Sequence, residues 1–322
     1  MVNVKKLFVI GNGFDISHGL KTTYDDFRKY LISDHEIEMD SLVIPESTQM
    51  PDGEIKYNEL EILSMLFFLI SEAESNTEKW SNVEASLANL NFDEAFDCYS
   101  EVLDKDGDLD LWKTSYNNED IASNLVIPSL TIQQLFSNWI NTIDIISVKT
   151  KVDFLKLIEE EDLFLTFNYT DTLEGVYHVS NERICYIHGK QNEEIYFGHG
   201  NNEDKTDYYM KNYIGSENGL VEIHEQLRKK TEIALKENMH FFENLTDSNI
   251  SEIYSYGFSF SEVDMIYLKE ICKRMNTQKL IWYFNDFDEW NHNDYIDILI
   301  KCGFKGDFST FNISNKELTE ID

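Results

Sequence analysis

Several short segments of the chain run from apolar residues into small or polar ones that can do chemistry. Leu7-Phe8-Val9-Ile10 ends in Gly11-Asn12-Gly13-Phe14-Asp15. Glycines after a strand let a backbone approach a ligand, and their N–H groups can face phosphate oxygens. Ile16 stands where the dinucleotide fingerprint G-x-G-x-x-G needs its third glycine, so Gly11, Gly13 and Asp15 also read as a tight strand-to-helix turn. Thr166-Phe167-Asn168-Tyr169-Thr170-Asp171 ends a second apolar run. The Asn168 amide can fix a hydroxyl or a water, or Asn168 and Thr170 can cap a helix. Ile187-His188-Gly189 and Phe197-Gly198-His199-Gly200 each offer an imidazole able to move protons near neutral pH. A structural histidine is the competing reading for either. Tyr256-Gly257-Phe258-Ser259-Phe260-Ser261-Glu262-Val263-Asp264 offers a glycine turn, a hydroxyl and a carboxylate, or an N-cap at Ser261.

Such residues act together only if strand ends bring them together. The runs at Leu7–Ile10, Leu163–Phe167, Arg183–Ile187, Ile195–Phe197, Ile253–Gly257 and Lys279–Phe284 read as buried strands. Helical signals lie between them, at 219–243, 262–275 and 288–302, with a first helix from Thr22 or Thr23 to about Leu31. Alternating strand and helix predicts an α/β fold with a doubly wound, mostly parallel sheet, and ligands in such sheets bind beyond the carboxyl ends of the strands. Residues 33–58 are polar and irregular. Residues 59–147 read as a helical insertion between the first two core strands of a single 1–322 domain, with Trp80 and Glu84 on one helical face and Glu84 at the surface or covering a pocket.

Composition narrows the partners. The 322 residues carry 27 Lys+Arg against 60 Asp+Glu, a net charge of −33, which repels nucleic acid and anionic membranes. A small phosphorylated ligand remains compatible, because backbone N–H groups can hold it. Cys98, Cys185, Cys272 and Cys302 are scattered, with no C-x-x-C, so no zinc module is expected and a reducing cytoplasm is. The apolar runs at Leu7–Ile10 and Ile62–Ile70 are too short to span a bilayer. No bound metal or prosthetic group is expected.

The order GNGFD, TFNYTD, IHG, FGHG, YGFSFSEVD resembles the AbiH family of bacteriophage abortive infection proteins. Gly19-Leu20, Thr22-Thr23-Tyr24 and the W-x-x-x-E of Trp80 to Glu84 add to the likeness, which spans about residues 5–300. That family is in turn distantly similar to sirtuin-type NAD-binding domains. The likeness implies an anti-phage role, with NAD as substrate or ligand, a phage-derived trigger and self-assembly. It assigns catalysis to Asn168 and His188, phosphate or ribose contacts to Gly11, Gly13 and Asp15, and the other side of the nucleotide to Gly257 and Ser259; Asn12, Thr23, Asp171 and Asp264 in the same segments are further candidate contacts, and His199 is the rival base. Two departures stand out: Asp15 replaces a usual Ser, and Thr170 displaces the acidic residue of N-Y-D to Asp171. The implied reaction is hydrolysis of the nicotinamide–ribose bond. The alternatives are a nucleotide sensor or partner-binding module without turnover and, with the charge against it, a nuclease.

Overall fold

The computed structural model describes residues 5–33, 41–75, 78–97, 103–108, 110–246 and 248–314. Cys98 lies outside them, and Cys185, Cys272 and Cys302 are free thiols. The described chain forms two compact units. The first contains residues 1–23, 140–196 and 230–322, and the second residues 24–139 and 197–229.

The first unit holds the sheet. In chain order the strands among the described residues are β1 (Lys5–Ile10), β2 (Ser47–Gln49), β3 (Ile55–Tyr57), β4 (Leu163–Thr166), β5 (Ile184–Tyr186), β6 (Ile250–Tyr256), β7 (Ile281–Asn285) and β8 (Asp307–Phe311). Six of them build one sheet in the order β5-β4-β1-β6-β7-β8, every pair parallel. The winding proceeds outward from β1 through β4 to β5, then returns beside β1 and proceeds the other way. This is the doubly wound order, and its topological switch lies between β1 and β6.

Alternation along β1 explains why it is central. Leu7 and Val9 face a core shared with helices Thr231–Glu237, Met239–Thr246, Met265–Arg274 and His292–Lys301. Phe8 and Ile10 face the opposite core, closed by helices Asn12–Ser17, Val152–Leu157 and Thr172–Gly175. On that second face Phe8 stacks on Phe164 at 5.0 Å and on Tyr254 at 5.3 Å. Apolar side chains on both faces are what a strand covered twice requires.

The second unit is mainly helical, with its longest helices at Glu59–Glu74 and Leu111–Ile140. Phe27, Phe67, Trp80 and Phe136 are buried within it, and the Phe136 and Phe197 rings stack at 3.8 Å. Trp80 precedes the short helix Val83–Leu87 and donates to Ser71 Oγ, so it shares no helical face with Glu84. Glu84 is an ion-pair partner of the buried Lys229 at 2.9 Å, not a free surface charge.

Three local readings change, and one strand is new. Ile195–Phe197 is not a strand: Tyr196 N donates to His188 O, but no ladder follows. A three-residue apolar run gives the same signal whether it pairs or only packs. Residues 33–58 contain the β2–β3 hairpin, exposed along most of its length. β8 is an edge strand, half exposed, whose residues Asp307-Phe308-Ser309-Thr310-Phe311 offer no apolar run. The stretch 219–243 is divided among three helices, with breaks at residues 227–230 and at Asn238.

At the switch point two turns lock together. Gly11 N donates to Tyr256 O at 3.1 Å and Gly13 N donates to Gly257 O at 2.9 Å. Gly257 has φ +64°, and a Cβ there would lie 2.2 Å from Phe14 N and 2.4 Å from Gly13 C. Positive φ disfavours side chains, and the contact leaves no volume for one. Gly257→Ala should therefore lower the unfolding free energy by more than the roughly 1–2 kcal/mol of the backbone term alone. A fall in the urea midpoint of the full chain checks this, and an unchanged midpoint would contradict the crossing.

Candidate functional site

The turn after β1 and the loop after β4 meet through a buried carboxylate. Asp15 accepts from Thr170 Oγ1 at 2.6 Å and from Thr172 Oγ1 at 3.0 Å. Burial pushes its carboxyl up to about 6, against the pull of those two hydroxyls and of the Asn168 side chain. Asn168 stands beside it, 5 % exposed, its side chain near enough to pull weakly on the Asp15 carboxyl, while neither Oδ1 nor Nδ2 meets a described residue in full hydrogen-bond geometry. A buried amide so weakly satisfied is costly and can take up a ligand or water. Asn12 is used locally, its Nδ2 donating to Thr22 O at 2.7 Å, just before the partly buried Thr23. Asp171 precedes the Thr172–Gly175 turn of helix without a side-chain capping bond.

His188 follows β5 and is 1 % exposed. Its Nε2 lies 3.1 Å from Tyr267 OH and 3.6 Å from Asp264 Oδ1. Phe167, from the loop that carries Asn168, packs its ring against the imidazole at 5.4 Å. Gly189 does more than leave room beside the ring. Its φ is +80°, and a Cβ there would meet Glu194 O at 2.0 Å.

His199 belongs to the second unit and is fully engaged. Nδ1 accepts from Asn201 N at 3.2 Å, which places the ring proton on Nε2, donated to His224 O at 2.9 Å. Burial, with the neighbouring His224, pushes its pKa down to about 4. With both nitrogens spent, it is a neutral structural group.

A cavity of about 510 Å³ opens at the carboxyl edge of β1, β6 and β7. Gly13, Gly257 and Ser259 line it, together with Ser17, Lys151 and Asn285. Ser17 Oγ and Tyr256 OH are 3.0 Å apart along its wall. The structure thus gathers three of the expected nucleotide-contact residues here, and Asn168, His188, Asn12 and Asp15 are not among the lining residues. Asn285 ends β7 as Asn168 follows β4, an apolar run turning polar, so its signal was present in the sequence. Lys151 carried none, because it arrives from the residue before the helix Val152–Leu157. Among the described residues no group of three or more His, Cys, Asp and Glu side chains could hold a metal ion. No helix among them is long and apolar enough to cross a membrane.

Asp15 makes stability pH-dependent with a definite sign. The folded chain keeps the proton up to about pH 6, whereas the unfolded chain releases it near the ordinary 3.8. Its contribution is therefore full below 3.8 and is lost as pH rises through 6, on the order of 3 kcal/mol in all. The stability difference between Asp15→Asn and the parent chain should change across that window in favour of the variant as pH rises. Paired denaturation curves from pH 4 to 7 measure it, and parallel curves would contradict the assignment.

No curated protein and no solved structure matches the chain. The family described as Bacteriophage abortive infection AbiH matches residues 7–286, from β1 through β7 and across the loops that carry Asp15, Asn168, His188 and Ser259. The chain therefore belongs to the AbiH family and to bacteriophage abortive infection.

Proposed function

We propose that the protein acts in abortive infection as a nucleotide-directed effector that hydrolyses the nicotinamide–ribose bond of NAD. The observation that carries the reading is the cavity at the carboxyl edge of a doubly wound parallel sheet, with Gly13, Gly257 and Ser259 in its wall. Nucleotides bind such sheets at their switch points. Its volume of about 510 Å³ falls within the range of small-molecule sites. The choice of NAD and the roles of Asn168 and His188 draw on the sequence likeness to sirtuin-type domains; both residues follow β4 and β5, outside the cavity lining, so the reading requires the nicotinamide end of the dinucleotide to reach past the Gly13–Gly257 junction.

The chemistry asked of the chain is modest. The C1′–N bond breaks, its electron pair passes to the pyridinium nitrogen, and neutral nicotinamide leaves. Water adds to C1′ of an oxocarbenium-like centre and surrenders a proton. In this reading Asn168 uses its buried amide to orient the water or the ribose hydroxyls. His188, backed by Tyr267 and Asp264, takes the proton. Acidic surroundings favour the developing positive charge.

One observation favours a second reading, a sensor that binds the nucleotide without turning it over. The His188 ring is almost fully withdrawn from solvent. Purified protein incubated with NAD separates the two. Release of free nicotinamide, reduced at least ~100-fold in Asn168→Ala and in His188→Ala, supports hydrolysis. Saturable binding with NAD left intact supports the sensor, and neither binding nor release removes both. Growth arrest on expression, relieved by the same substitutions, is the cellular counterpart.

A further inference from the structure

The cavity beside the switch point carries more chemical detail than a generic nucleotide site needs. Asn285 lines it, is 8 % exposed, and has an Nδ2 with no hydrogen-bond partner among the described residues. Its Oδ1 is held by Phe287 N at 3.0 Å, which fixes the amide and commits the other end to an outside acceptor. Phe287 also lines the cavity while 77 % exposed, with Trp290, also exposed, 6.1 Å away. An exposed aromatic face at a cavity is a stacking platform for a base. Lys151 is the only cation among the lining residues and is 4 % exposed, in a chain with more than twice as many acidic as basic residues. Asp288 lines the same space as a carboxylate partly withdrawn from water.

We propose that this cavity binds a nucleoside 5′-phosphate, with Lys151 holding the phosphate, Asn285 and Phe287 holding the base, and Asp288 reading an unsubstituted 2′-hydroxyl. A carboxylate accepts from a ribose hydroxyl and repels a phosphate placed there. The cavity therefore takes nucleotides of the NAD type and rejects 2′-phosphorylated ones. The inference rests on reading this edge as a nucleotide site, and it does not depend on hydrolysis.

Calorimetric titration of the full chain with adenosine, AMP and 2′,5′-ADP tests it. AMP should bind at least tenfold more tightly than adenosine and than 2′,5′-ADP. Lys151→Gln should bring AMP and adenosine together, and Asp288→Asn should narrow the gap between AMP and 2′,5′-ADP. Phe287→Ala, at an exposed position, should weaken all three several-fold with Tm unchanged, and keeps the test alive if Lys151→Gln does not fold. Equal affinities for AMP and adenosine, no binding, or indifference to these substitutions would overturn it. AMP binding with NAD left intact sinks hydrolysis and keeps the pocket. NAD cleavage with unaltered KM in Phe287→Ala and Asp288→Asn keeps hydrolysis and sinks the pocket.

Discussion

Two backbones share the space at the centre of the sheet's carboxyl edge, and everything around the candidate site is placed by that contact. The turn after β1 and the turn after β6 approach until a single methyl group would not fit between them. Gly13 N donates to Gly257 O, and the helix Asn12–Ser17 starts at that junction. The crevice that a doubly wound sheet leaves at its switch is thereby closed in the middle. The described cavity lies to the β6–β7 side, with Gly13 and Gly257 as part of its wall. The glycines serve protein–protein backbone packing first, and any ligand meets them second.

A second constraint joins the β1 turn to the β4 loop. Burying a carboxylate is expensive, and hydrogen bonds to a charged group return about 1.5–3 kcal/mol each. Thr170 and Thr172 supply two, yet Asp15 remains about two pH units above an ordinary carboxylate. Desolvation wins, and the group titrates near pH 6. The acid at position 15 and the threonine at position 170 are thus partners in one interaction. Asp15 ties the two loops together.

The imidazoles separate on the same logic. His199 has given its proton to a carbonyl and its lone pair to an amide, so proton transfer would break the loop that holds it. His188 meets a phenol and a carboxylate, groups that can share a proton with it. The proposed chemistry draws on that difference and on the buried Asn168 amide of the neighbouring loop.

The sequence by itself determined the sheet's central strands, because Leu7–Ile10, Leu163–Thr166 and Ile253–Tyr256 are apolar on both faces and can be buried only between two layers. It also determined the family, through the order of its loops. The edge strand β8 and the hairpin β2–β3 stayed hidden, since half-exposed strands need no apolar run. What only the tertiary structure decided is who meets whom at the loop tips. Asp15 faces Thr170 across 155 residues, and Lys151 and Asn285 line one cavity from segments more than a hundred residues apart. Local patterns register burial and periodicity, which each segment carries alone. Partners across the sheet are fixed by strand order, and strand order is a property of the packed whole.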